Sequence, residues 1–179
     1  MRILLVGGTG LVGSAIHARL STEGHECVLV SRHPDAAPDT QHVTLDVART
    51  TDASKWKGIL AGVDAVINAA GALQGQDMQG VHVAGSAALY TACESAGVRR
   101  VILFSAIGID RDAPTDFSRT KREGEAALMA CDLDWVVLRA FRGGGPARLW
   151  GQRTTARSGI TTGSTGHARH GSYSTGISR

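Results

Sequence analysis

Four glycines fall within seven residues in Gly7-Gly8-Thr9-Gly10-Leu11-Val12-Gly13, between an apolar run (Ile3 to Val6) and a stretch of helical spacing. A backbone loop bare of side chains at the mouth of a helix suits a diphosphate. The first helical N–H groups have no partner within the helix, and the dipole there is positive. Gly7 allows the tight turn, Gly10 lets the backbone approach the phosphates, and Gly13 lets the helix pack on the strand. The expected ligand is a dinucleotide on Gly7, Thr9, Gly10, Leu11, Val12 and Gly13. A structural turn that holds nothing is the alternative. The next apolar run ends in Ser31-Arg32, where NAD sites carry a carboxylate for the ribose 2′-hydroxyl. A serine and an arginine there suit a 2′-phosphate, so NADP(H) is expected first and NAD(H) second. A solvated surface role for Arg32 stays open. Asp46-Val47 follows a third run and can meet the adenine amino group, or Asp46 can cap a turn. Ala69, Ala70 and Gly71 follow a fourth run, and residues this small let a cofactor lie against the backbone.

The elements that must position these residues alternate strand and helix. Apolar runs at Ile3–Val6, Cys27–Val30, His42–Leu45, Val63–Ile67, Val101–Phe104 and Trp135–Leu138 read as strands. Helical spacing is read over Leu11–Glu23, around Ala53–Leu60, over Val81–Ala96 and over Asp116–Ala130, with Gly24 and Gly97 as stops. Continuous apolar strands imply burial on both faces, and strand–helix alternation implies parallel pairing. The expected fold is α/β: a doubly wound parallel sheet of Rossmann type, order 3-2-1-4-5-6. It occupies residues 1–140, and residues 141–179 are expected to be a disordered basic tail rich in Gly, Ser, Thr and Arg.

Taken together, G-G-T-G-L-V-G, the N-A-A-G after the fourth strand and F-S-A-I-G-I after the fifth resemble the extended and atypical short-chain dehydrogenase/reductase superfamily. The likeness covers roughly residues 1–140 and points to the NmrA-like and NAD-dependent epimerase/dehydratase branches. The Rossmann-type accessory subunit of respiratory complex I is similar too. Active members use a serine or threonine after the fifth strand to polarise the substrate. A tyrosine four residues before a lysine transfers the proton, and the lysine holds the nicotinamide ribose and lowers the tyrosine pKa. The resemblance gives the first role to Ser105 and the last to Lys121, as catalytic candidates, with Lys121 also a cofactor contact. The tyrosine position is Phe117, whose ring has no proton to give, and helical geometry points nearby Ser118 elsewhere. A surface lysine paired with Glu125 at i+4 is the alternative for Lys121.

A second departure follows Leu138-Arg139. The family continues Pro-Ser, valines and a glycine; this chain reads Ala140-Phe141-Arg142-Gly143-Gly144-Gly145. Codons GCC TTC CGT GGT GGT GGG C encode the observed residues, and loss of the first base restores Pro-Ser-Val-Val-Val-Gly. Two readings stay open, a frameshifted segment or a genuine basic tail. On either, the substrate-binding half of the family is missing, and the sixth strand is expected to be able to stand as an exposed edge.

All 16 acidic residues lie at or before Asp134, whereas seven of the 19 Lys and Arg lie after Trp135. Twelve basic against 16 acidic residues leave the body at −4, and the tail carries +7. The charge therefore gives no nucleic-acid footprint for the fold. No apolar run approaches the roughly 20 residues of a membrane span, and a cytoplasmic protein is expected. Three scattered cysteines suggest neither a disulfide framework nor a metal site. His17, His25, His33, His42 and His82 lack metal-ligand spacing, and Asp110, Asp112 and Asp116 read as a solvated turn and helix cap. An NADP(H)-dependent oxidoreductase or sugar-nucleotide-type enzyme is expected. The alternative is a non-catalytic redox sensor or respiratory-complex assembly module. Neither the small-molecule substrate nor the oligomeric state is written in the sequence.

Overall fold

The structure is a computed structural model that describes residues 1–33, 40–75, 77–110, 115–140 and 148–152. Its strands are β1 (Arg2–Val6), β2 (Glu26–Ser31), β3 (Gln41–Thr44), β4 (Ala65–Asn68), β5 (Arg100–Ala106), β6 (Asp134–Ala140) and β7 (Arg148–Gln152). They form one sheet in the order β3-β2-β1-β4-β5-β6-β7. The first six pair in parallel, the expected doubly wound order, and β7 pairs antiparallel to β6.

Successive side chains of a strand point to opposite faces, and here both faces are apolar. Leu4, Val6, Val28, Val30, Val66, Val101, Leu103 and Val137 join the larger core. Helix α3 (Gly85–Ala96) brings Leu89, Tyr90 and Cys93 to it, and α4 (Asp116–Met129) brings Leu128. Ile3, Leu5, Cys27, Leu29 and Ile67 form the smaller core on the other face, under Ile16 and Leu20 of α1 (Leu11–Thr22). On that second face Ile102, Phe104, Val136 and Leu138 are only partly buried.

Three local features differ from the sequence reading. The helix expected around Ala53–Leu60 is a single 3-10 turn, Ala53–Trp56, capped by the Asp52 carboxylate, and a further 3-10 turn, Val47–Arg49, precedes it under the Asp46 carboxylate. The helix expected from Val81 starts at Asp77. It runs as α2 (Asp77–Gln79), a π-helical turn (Gly80–Ala84) and α3. Within the stretch expected to lack structure, Arg148–Gln152 form β7, so β6 is not a bare edge among the described residues. Antiparallel pairing satisfies main-chain N–H and C=O groups whatever the side chains are, so apolar periodicity did not reveal this strand. The rest of 141–179 lies outside the described residues.

Candidate functional site: a dinucleotide cleft

The chain leaves β1 at Val6 and turns at once. Gly7 N–H donates to Val30 O at 2.8 Å, and Gly10 N–H donates back to Gly7 O at 3.0 Å. Gly7 has φ +79°, and a Cβ there would lie 2.8 Å from the Ala70 backbone nitrogen. Such a contact is backbone against backbone, so no rotamer can relieve it. A Cβ on Gly13 would come within 2.1 Å of Gly7 O. The first turn of α1 therefore rests directly on the loop, and its N-cap, Gly10, contributes no side-chain hydrogen bond to the free amides. The glycines leave the backbone of the loop open to a ligand, which suits a diphosphate.

Beside this loop lies a cleft of about 440 Å³. Gly7, Thr9, Gly10, Ser31, Arg32, Asp46, Val47, Ala69, Ala70 and Gly71 all line it. Of the remaining cofactor candidates, Gly13 is buried beneath the loop, while Leu11 and Val12 are exposed at the start of α1, Leu11 at 92%. The cleft crosses the C-terminal ends of β1, β2, β3 and β4, the ligand position in open α/β sheets. Its floor is shaped by Asn68, which is buried. The Asn68 amide donates to Ser86 Oγ (2.9 Å) and Tyr90 Oη (3.1 Å), and its carbonyl oxygen accepts from Ala70 N–H (3.1 Å).

At one end of the cleft, Ser31 Oγ donates to His33 O at 2.6 Å and sits 2.8 Å from His42 Nε2. Its single proton is thereby used, which makes His42 Nε2–H the donor in the second contact. Arg32 extends from the end of β2 and pairs across the cleft with Asp77 at 3.5 Å. Asp46 caps its turn by accepting from Ala48 N–H at 3.0 Å, and its other oxygen meets Arg49 at 3.4 Å.

Neither candidate catalytic residue lines the cleft; Lys121 stands against Gly71, at the cleft's other end. Ser105, the penultimate residue of β5, has a buried Oγ with no hydrogen-bond partner among the described residues. Lys121 is buried, and its Nζ donates to Phe104 O at 3.3 Å, one residue before Ser105. The surface alternative for Lys121 is thereby corrected. Glu125 is only 1% exposed and its carboxylate takes Arg139, at 2.9 and 2.7 Å, rather than Lys121. Burial lowers the Lys121 pKa to about 8, against a smaller upward pull from Glu125. Arg139 also pairs with Asp110, so β6, α4 and the loop after β5 meet at one guanidinium.

His82, set aside in the sequence for want of metal-ligand spacing, lies at this end. A Cβ on Gly71 would stand 3.7 Å from Lys121 Nζ and 3.8 Å from His82 Nε2. His82 Nε2 accepts from Ala72 N–H at 3.1 Å, and Nδ1 lies 2.9 Å from Thr120 Oγ1. Thr120 gives its own proton to the α4 backbone, at Asp116 O (2.9 Å). Nδ1 must then carry the imidazole proton, and the ring is neutral. Burial, and next the Lys121 charge, push its pKa down to about 3. Gly124 permits this contact, since a Cβ there would lie 2.2 Å from His82 O. Phe117 holds the expected tyrosine position and stands edge-on to His82, centroids 5.6 Å apart. Nothing in local sequence marks His82; the signal is tertiary.

A glycine turn between a parallel strand and a helix, with a cleft across four strand ends, defines a Rossmann-type dinucleotide-binding protein. The chain belongs to the NAD(P)H-binding family, whose profile matches residues 7–155. An uncharacterized protein of Mycobacterium tuberculosis is 28% identical over 141 residues, covering 78% of this chain but 14% of that protein. An epimerase family protein of Bos taurus is 39% identical over 71 residues, 40% of this chain and 20% of that one. Among solved structures, the Lactococcus lactis oxidoreductase ylbE superposes with TM-score 0.68 at 26% identity, covering 78% of this chain and 68% of that one. The Bordetella bronchiseptica enzyme WbmG, in complex with NAD and UDP, gives TM-score 0.65 at 25% identity and coverages of 78% and 52%. A putative NAD-dependent epimerase/dehydratase from Bacillus halodurans shares the fold as well, with TM-score 0.67 at 26% identity and coverages of 78% and 69%. The chain spans about half of WbmG and one-seventh of the mycobacterial relative. Among the described residues, no helix is long and apolar enough to cross a membrane.

Proposed function

We propose that this chain is the cofactor-binding part of an NADP(H)-dependent oxidoreductase or sugar-nucleotide-type enzyme acting in the cytoplasm. The observation that carries the cofactor choice is the end of β2. Ser31 and Arg32 line the cleft there, where an NAD site would offer a carboxylate. In this reading the diphosphate rests on the loop from Gly7 to Gly13: Gly7, Gly10 and Gly13 shape its backbone, the first two with their own N–H groups spent on Val30 O and Gly7 O, and Thr9, Leu11 and Val12 offer their amides. Asp46 and Val47 border the adenine, and Ala69, Ala70 and Gly71 form the floor under the nicotinamide half. Lys121 holds the nicotinamide ribose and Ser105 orients a carbonyl or hydroxyl of the substrate. The buried, unpartnered Ser105 Oγ supports that role, because such a group costs free energy until something hydrogen-bonds to it. The bound cofactor supplies hydride chemistry; the chain supplies position and a lysine whose charge is easily removed. WbmG, with NAD and UDP, keeps NAD(H) as second choice and supports the sugar-nucleotide class. Fluorescence titration of NADPH and NADH against the wild type and Arg32→Ala tests this. NADPH binds more tightly to the wild type, and the substitution removes that preference. Tighter NADH binding by the wild type overturns it.

A second reading, a non-catalytic redox sensor or respiratory-complex accessory module, draws support from Phe117, which cannot donate a proton. A turnover screen with NADPH and carbonyl or quinone acceptors separates the two. Binding without turnover, in a form that includes the substrate-binding half, favours the module.

A further inference from the structure

Arg32 does not face the cleft alone. The chain leaves β4, runs along the cleft floor, turns at Gly75 (φ +87°) and opens α2 with Asp77. That path brings the Asp77 carboxylate to the wall opposite the end of β2. Its Oδ2 lies 3.5 Å from a terminal nitrogen of Arg32, and both residues line the same cleft. The two side chains are half-exposed, at 60% and 54%, so the pair is free to open. We infer that Asp77 is a specificity-determining residue that competes with the 2′-phosphate for Arg32 and holds the cofactor preference to a modest ratio. The inference rests on the proposed NADP(H) site.

The chemistry runs in opposite directions for the two cofactors. A 2′-phosphate carries nearly two negative charges and must draw the guanidinium away from Asp77, or share it and sit near a like charge. A 2′-hydroxyl makes no such demand. It leaves the ion pair in place and can donate to the Asp77 carboxylate, the contact that NAD sites usually take from the end of β2. One carboxylate therefore weakens NADPH and supports NADH. An exposed pair couples only modestly, so the expected effect is a tuning of preference rather than a reversal.

The test is a double-mutant cycle read as dissociation constants for NADPH, NADH and 2′,5′-ADP, at fixed low ionic strength. Asp77→Asn should tighten NADPH and 2′,5′-ADP about three- to tenfold, as expected for removing one nearby screened like charge. NADH should stay level or weaken slightly. In the Arg32→Ala background the same substitution should change NADPH by less than half as much on a logarithmic scale, because the contested cation is gone. An Asp77→Asn ratio of NADPH to NADH within twofold of wild type, with Arg32→Ala still weakening NADPH, refutes the role of Asp77 and spares the NADP(H) reading. If Arg32→Ala also leaves the ratio unchanged, the NADP(H) reading itself fails. Equal tightening in both backgrounds likewise refutes competition for Arg32. Matching far-ultraviolet spectra and thermal midpoints show that the variants are folded.

Discussion

Substituting Gly13 by alanine presses directly on the turn that makes this a nucleotide site. A new Cβ would lie 2.1 Å from Gly7 O, 2.8 Å from Gly7 C and 2.8 Å from Gly8 Cα. Those atoms are backbone, so α1 and the loop must separate by about 1 Å to reach ordinary van der Waals contact. Two effects of opposite sign compete. Alanine is better than glycine inside a helix by about 1 kcal/mol. Overpacking against an unyielding neighbour typically costs about 1–3 kcal/mol, and a contact this short belongs at or above the top of that range. The clash wins, for a net loss of about 2 kcal/mol. The same displacement pulls the first-turn amides away from the diphosphate and should weaken NADPH at least tenfold. Gly24→Ala is the matched control. Gly24 has φ +77°, and a Cβ there would meet nothing within 4 Å, so alanine costs about 1 kcal/mol of backbone strain and leaves binding untouched. Urea midpoints and NADPH titrations on both variants read the two effects separately. Wild-type affinity in a folded Gly13→Ala protein would refute the reasoning.

Four further outcomes follow from the geometry. Between Lys121→Met and the wild type, the stability difference should shift towards the wild type as pH rises from about 8 to the unfolded value near 10.5. The folded chain binds fewer protons across that window, and urea melts across it measure the slope. His82, held neutral with a pKa near 3, contributes stability that is present above pH 6.5 and lost as pH falls towards 3; His82→Gln should flatten that loss in acid melts. Arg139→Met strands the buried Glu125 carboxylate and should cost about 3–5 kcal/mol, whereas the double variant with Glu125→Leu should recover much of it; equal costs would show the pair to be incidental. Phe117→Tyr puts a phenol one helical turn before Lys121. In a form that includes the substrate-binding half it should raise NADPH-dependent turnover of carbonyl acceptors if proton supply is what is lacking, with unchanged NADPH affinity.

The strands were legible in the sequence because burial on both faces writes an unbroken apolar run, as in Ile3–Val6 and Cys27–Val30. The glycine turn was legible because its demand is steric, and Gly7 and Gly13 stand where a methyl group would collide with backbone. What escaped depends on contacts between distant segments. His82 looked ordinary until the fold set it between Ala72, Thr120 and Phe117. Asp77 meets Arg32 only because the chain crosses the cleft floor first. Lys121 and Glu125 have the spacing of a surface ion pair, yet both turn inward, and Arg139 of β6 takes the carboxylate. The π-helical turn at Gly80–Ala84 and β7 leave no period in the side chains, since backbone packing and main-chain pairing make them.

The claim beneath all of this is that a pyridine dinucleotide rests its diphosphate on the backbone between Gly7 and Gly13. Amide chemical-shift mapping of the folded protein with NADPH tests it most directly. The account predicts saturable shifts at Gly7, Gly10, Leu11, Val12 and Gly13, joined by Ser31 and Arg32, while the far edge at β7 stays still. A folded spectrum that shows no movement at those amides with millimolar NADPH or NADH would contradict it.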